Sequence, residues 1–204
     1  PPVRRCASVS GASLTAMAGG ISRESYFETG LAVLADRGYG GLKLAEVCNR
    51  LGVTTGSFYH YFAGWPAYTK ALLEYWMEAR TTATAKSLWP EPDPRVRIRN
   101  LLEQALELPH GAEAAIRVWS SLDPEVHRIQ AAVDRDRYEL MYSSALELLG
   151  NERQAQVFAS CAMYMLIGFE QSTLPRDPQA LRWLADQVID SLESGNFATV
   201  PESE

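Results

Sequence analysis

The chain has 204 residues, 47% hydrophobic and 22% charged, with a formal net charge of −6. That length accommodates one large domain or a small one joined to a larger body, and the composition is that of an ordinary globular protein. It excludes a bilayer-spanning helix: the longest uncharged apolar stretch, Cys161 to Phe169, falls far short of the ~20 residues needed. Pro1 to Gly20 lacks the apolar segment of a signal peptide, so a cytoplasmic location is expected. The three cysteines, Cys6, Cys48 and Cys161, form no C-x-x-C pair and no metal-ligand spacing. Cys48 and Cys161 lie in apolar periodic surroundings and read as reduced, buried core residues.

The charge is divided unevenly. Residues 1–64 hold six basic and four acidic groups (+2), whereas the remaining 140 hold 13 basic and 21 acidic groups (−8). An anion-binding head on an acidic body fits that asymmetry.

In chain order, residues 1–20 are rich in Ser, Ala and Gly and read as a flexible arm. Helical periodicity then predicts elements over roughly 22–37, 43–51, 54–61, 66–88, 94–108, 112–122, 124–149, 152–173 and 178–193, with no alternating β-branched run to nominate a sheet. Asp93-Pro94, Asp123-Pro124 and Asp177-Pro178 each set a capping carboxylate before a proline, which is harmless at the first helical position. Gly150-Asn151 supplies a further stop and start. The fold class is therefore all-α.

The first three helices are short. Phe27, Gly30, Leu31 and Leu34 form one core stripe, and the helix-weakening Gly30 implies that another backbone packs closely there. Leu44, Val47, Cys48 and Leu51 form a second stripe, closed by Gly52 as a left-handed C-cap. Val53-Thr54 then reads as a hydrophobic staple and N-cap, with Val53 packing on Phe58. Two short amphipathic helices joined by a glycine-containing turn form either a helix-turn-helix or an αα-corner. Phe58 and Phe62 face the core, which leaves Thr55, Gly56, Ser57, Tyr59, His60 and Tyr61 opposite. Hydroxyls and an imidazole without an acidic residue suit a groove-reading helix.

The stretch Gly38-Tyr39, Leu44-Ala45-Glu46-Val47 and Leu51-Gly52-Val53-Thr54-Thr55-Gly56-Ser57-Phe58-Tyr59-His60-Tyr61-Phe62 resembles the DNA-binding signature of the tetracycline-repressor (TetR) family of bacterial regulators, over about 45 residues. The resemblance implies a helix-turn-helix DNA-binding domain over 21–64 and a helical effector-binding and dimerisation domain over 65–204. It implies DNA contacts from Thr54, Thr55, Ser57, Tyr59, His60 and Tyr61, with Arg23 and Lys43 clamping phosphates. It also implies a homodimer on a palindromic operator, built through the last two helices. Two positions depart from the family: Leu42 stands where a capping Thr or Ser is usual, and Trp65 where Lys is usual.

In the body, most apolar stripes read as core. Aromatic and Met residues nevertheless cluster at Trp76, Trp119, Tyr138, Met141, Tyr142, Met163, Tyr164 and Phe169, which also suits a cavity for a small apolar or aromatic effector. Arg117, His127, Arg137, Glu170 and Gln171 are candidate polar members. The last two helices carry apolar faces (Val157, Cys161, Tyr164, Met165; Leu181, Leu184, Val188, Leu192) that fit either a dimer interface or a buried hairpin. No catalytic, metal or cofactor motif is present, so an enzyme is not expected, and no cofactor. The alternative to an effector-controlled repressor is a DNA-binding protein without a small-molecule effector.

Overall fold

The computed structural model describes residues 20–78 and 91–202. The expected flexible arm and the distal part of the helix expected over 66–88 lie outside the described residues. Among the described residues there are nine α-helices and no strand: α1 (Arg23–Gly41), α2 (Leu44–Leu51), α3 (Thr55–Tyr61), α4 (Trp65–Met77), α5 (Pro94–Leu106), α6 (His110–Ser120), α7 (Pro124–Leu149), α8 (Glu152–Gln171) and α9 (Pro178–Glu193), followed by a short 3-10 turn at Asn196–Thr199.

The caps read from the sequence form as expected. Asp93 Oδ1 accepts from the Arg95 N–H at 2.9 Å, and Asp123 and Asp177 each accept from two amides at the start of α7 and α9. Asn151 caps α8 by accepting from the Gln154 N–H at 3.0 Å. Gly150 ends α7 in the left-handed region, as Gly52 ends α2. Such caps satisfy end amides that no intrahelical carbonyl can reach, each contributing about 1 kcal/mol.

Two boundaries that differ from expectation bear on the packing. Helix α1 continues past a backbone break at Gly38 to Gly41, and α6 begins at His110 rather than 112. The reason in α6 is Gly111, which resembles a breaker. It lies inside the helix because a Cβ there would come within 3.0 Å of the Ala35 carbonyl oxygen, so α6 and α1 meet almost backbone to backbone. Gly30 differs in a related way. The group against it is not another backbone but the Tyr68 side chain, whose hydroxyl would lie 2.1 Å from an added Cβ and donates to the Tyr26 carbonyl at 2.8 Å. The missing capping hydroxyl falls at Lys43, which is the N-cap of α2 and makes no side-chain cap bond. Leu42 is instead buried in the core.

Two hydrophobic cores result. The proximal core is rich in aromatics (Tyr26, Phe27, Phe58, Phe62, Tyr68, Trp76, Trp119) and runs without interruption from α1–α3 into α4, α6 and α7, crossing the expected boundary at 64/65. The distal core joins α5, α7, α8 and α9 through Ile98, Leu102, Met141, Ala145, Phe158, Ala159 and Ile189, and is mainly aliphatic, with Tyr138, Tyr142 and Phe197 partly buried against it.

Candidate nucleic-acid interface and body cavity

Helix α3 is positioned by its buried side. Phe58 is fully buried against Tyr26 (ring centroids 5.8 Å), Phe62 (5.1 Å) and Tyr68 (5.5 Å). Thr54 caps the helix by accepting from the Ser57 N–H at 3.4 Å, and the half-buried Val53 packs on the core that contains Phe58, completing the staple. The opposite side presents Thr54, Thr55, Tyr59 and His60 to solvent, with Tyr59 58% exposed.

Two of the expected contact residues are held inward. The Tyr61 hydroxyl donates to the Ile21 carbonyl at 2.5 Å while its ring packs on Tyr26, so Tyr61 ties the head together and does not share the outward face. The half-buried Ser57 accepts from the Tyr26 hydroxyl at 3.3 Å. The helical phase explains both: Tyr61 lies three residues after the core Phe58, and Ser57 one before it, at the edges of the buried stripe.

The cations divide in the same way. Arg37 and Arg50 form ion pairs with Glu46, and Arg50 also with Asp36. Arg23 is exposed, but it donates to the Tyr61 carbonyl at 2.9 Å and its guanidinium lies over the Phe62 ring at 4.7 Å. It therefore closes the C-terminal end of α3 as well as offering charge. Lys43 is exposed and has no ion pair among the described residues. Trp65 packs its ring on Tyr68 (5.0 Å) and Phe58 (6.2 Å), and so extends the core where the family places a lysine.

The body contains a cavity of about 410 Å³ between α5, α7 and α8. Its walls include Leu101, Leu102, Leu108, Leu140, Met141, Ala162, Met163 and Leu166, with Glu103, Gln104, Glu107 and Arg137 as polar members. Of the residues expected around a cavity, Met141, Met163 and the polar candidate Arg137 line it. The aromatic residues do not. Trp76 is fully buried beside the head, and its indole Nε1 donates to Glu113 at 2.8 Å. Trp119 stacks on Tyr39 (4.8 Å, 17°), joining α6 to α1. Tyr138 and Tyr142 stack on each other at 5.9 Å, and Tyr164 is 73% exposed. The expected aromatic lining is thus corrected to an aliphatic one: these rings are used for joining elements and on the surface.

Nor do Arg117 and Glu170 face the cavity. Arg117 makes a bidentate pair with Asp134 at 2.7 and 2.9 Å. Glu170 is buried with His110 Nδ1 3.3 Å from its Oε1, and burial pushes its carboxyl above the ordinary value of 4.5 against the opposing His110 hydrogen bond. His127 is exposed, Gln171 donates to the Ala114 carbonyl, and Phe169 packs edge-on against His110.

A buried polar network was missed by sequence reasoning. Glu113, 1% exposed, accepts from Trp76 at Oε1 and from Arg137 Nη2 at Oε2, the latter at 3.0 Å. A carboxylate set among Ala112, Ala115 and Ile116 on an apolar face was the available signal. Nothing in the spacing, however, links residue 113 to residue 137 on another helix.

In α8 and α9, Leu181 and Leu192 are buried within the chain, Val188 is half-buried, and the outward apolar groups are Tyr164, Trp183 and Leu184. Among the described residues, no helix is long and apolar enough to cross a membrane, and no cluster of metal-ligating side chains occurs.

A three-helix head with a three-residue turn (52–54) before an outward polar helix, on a larger helical body, is a helix-turn-helix architecture. Residues 27–64 match the family model described as bacterial regulatory proteins, tetR family. It is 29% identical over 126 residues to the HTH-type transcriptional regulator BetI of Pectobacterium carotovorum, a match covering 58% of this chain and 65% of the relative. The chain thus spans just under two thirds of the length of that relative. A Saccharomonospora viridis transcriptional regulator solved in complex with choline superposes with a TM-score of 0.69 at 16% identity, covering 82% of this chain and 95% of that one. The Bacillus subtilis regulator FadR, solved with stearoyl-CoA, superposes with a TM-score of 0.63 at 12% identity, covering 85% and 99%. These two likenesses establish the shared fold.

Proposed function

We propose that this chain is a sequence-specific DNA-binding transcriptional regulator, a repressor released from a palindromic operator by a small apolar effector. The observation that carries the proposal is the outward row Thr54, Thr55, Tyr59 and His60 on a helix whose other side is locked into an aromatic core, with the unpaired Lys43 at the start of the preceding helix. Residues 21–64 are the DNA-binding domain in this reading, and 65–204 the effector-binding and dimerisation domain. The exposed Tyr164, Trp183 and Leu184 support a homodimer through α8 and α9, since apolar groups gathered on neighbouring helices favour self-association.

Effector control, rather than DNA binding alone, is favoured by the aliphatic cavity. Its wall residue Arg137 is bonded to Glu113 on α6, and α6 packs on α1 through Gly111 and the Trp119–Tyr39 stack. An occupant that displaces α6 therefore acts directly on the head. A coupling of about 1–3 kcal/mol would change operator affinity roughly 5–150-fold.

Selection of bound duplexes from a random pool should return a near-palindrome, and a consensus without two-fold symmetry overturns the proposal. Thr55→Ala and Tyr59→Ala should each weaken binding to that consensus by about 1–3 kcal/mol where the lost contact reads a base. Far-UV circular dichroism should be unchanged.

A further inference from the structure

The cavity's polar groups are not equivalent. Glu103 and Glu107 are the exposed carboxylates of its lining, with side chains 49% and 79% exposed, and they share one cation, Arg182. Arg137 lies at the inner end, its side chain 12% exposed. Its Nη2 donates to Glu113, but its Nη1 is buried with no hydrogen-bond partner. Apart from Gln104 and the two glutamates, the other lining residues are Leu, Met and Ala, none of which offers a strong side-chain acceptor.

A buried guanidinium N–H without an acceptor is unfavourable, because it has left water and gained nothing. Guanidinium has five donors and no acceptor, so only an acceptor completes it, and a carboxylate does so with the shortest and strongest bonds. An ammonium head would meet the fixed positive charge of Arg137 at the inner end. The volume narrows the choice further. At ~30 Å³ per water-sized group, about 410 Å³ holds roughly a dozen non-hydrogen atoms.

From this geometry we infer that the effector is a small apolar carboxylate, its head on Arg137 and its hydrocarbon part along Leu102, Met141, Met163 and Leu166. The inference rests on the effector-controlled reading above and adds the chemical class of the ligand. It also gives Arg137 two acceptors to serve, Glu113 and the ligand, so that the head group engages the residue that reaches α6.

The test is calorimetric titration of the full chain with octanoate, octanamide and octyltrimethylammonium, which share a chain length and differ in the head. Octanoate should bind saturably, one per chain, at least tenfold more tightly than either of the others. Arg137→Met should weaken octanoate binding tenfold or more, and Arg137→Lys less. Because Arg137→Met leaves Glu113 unpaired, the double variant Arg137→Met with Glu113→Gln repeats the measurement with both charges removed. Met163→Trp, which fills the cavity and leaves the Arg137 charge in place, should abolish binding. Equal or tighter binding of the amide or the ammonium ion, no saturable binding of octanoate, or octanoate binding unchanged in both the single and double variants would overturn the inference. The regulator reading fails separately, by loss of specific duplex binding in the ligand-free protein.

Discussion

The two cores of this molecule are built from different materials and under different constraints. The proximal core is a lattice of rings: Tyr26, Phe58, Phe62 and Tyr68 meet edge-to-face or tilted, and even their hydroxyls are bonded inside. The distal core is mainly aliphatic, with Phe158 as its one fully buried ring, and adjoins an open volume. Rings lose little conformational freedom on packing and resist deformation. Leu and Met side chains can adjust around an occupant. The contrast places rigidity behind α3 and adaptability around the cavity, with α6 packed in the proximal core and tied to the cavity wall through the Glu113–Arg137 pair.

The largest expected effect tests the rigid side. Phe58→Ala removes the centre of the ring lattice and should cost about 3–5 kcal/mol. Thermal denaturation followed by circular dichroism should show it, and limited proteolysis should cleave first within the head. If instead Met141→Ala proved the more destabilising of the two, the assignment of rigidity to the proximal core would be wrong.

A smaller effect concerns the outer surface of the head. Lys43→Ala should leave stability almost unchanged and lower the slope of log affinity against log salt by about one, the signature of a single phosphate contact. Arg50→Ala should act in the opposite manner, because its charge already serves Asp36 and Glu46: the fold should weaken and the salt slope should hold. Filter-binding or anisotropy titrations across a salt series separate the two.

The smallest effect is a slope rather than a loss. Burial raises the Glu170 carboxyl above its ordinary value, so the folded state holds this proton more tightly than the unfolded chain does. Its contribution favours folding below the ordinary carboxylate range and is lost as pH rises through the raised value. Glu170→Gln keeps an acceptor for His110 and removes the titration. The variant should therefore gain on wild type as pH increases, which denaturant melts at several pH values would register. Parallel curves would show that Glu170 is not held protonated.

Much of the head was legible because its determinants are local. The stripe through Leu44, Val47, Cys48 and Leu51, the left-handed Gly52 and the Val53–Thr54 staple all act within a few residues, and helix periodicity exposes them. The Asp-Pro caps of the body were legible for the same reason. What failed was long-range. Tyr61 belongs by composition to the outward face, and only its partner Ile21, forty residues earlier, turns it inward. The cavity was expected where rings are dense, at Trp76 and Trp119, yet these rings serve the joint between α1, α4 and α6. Aromatic density marks rigid packing as readily as it marks a ligand. The cavity instead lies beside the plain aliphatic stripe Leu101, Leu102 and Leu108, whose sequence is indistinguishable from that of solid core. Which of Arg117, Arg137 and Glu170 would meet it depended on partners on other helices, and only Arg137 does.

The notch at Gly30 has a bearing on ancestry. The Tyr68 hydroxyl fills the space that any Cβ at residue 30 would need, and it holds the Tyr26 carbonyl from there. Residues 30 and 68 are thus one inherited character written at two places in the chain. Among descendants of a common ancestor, a side chain larger than hydrogen at 30 should appear only with a ring lacking the hydroxyl, or a smaller group, at 68. A lineage passing through either change alone carries a clash or an orphaned carbonyl in the core of the head, so the pair is expected to drift together or not at all.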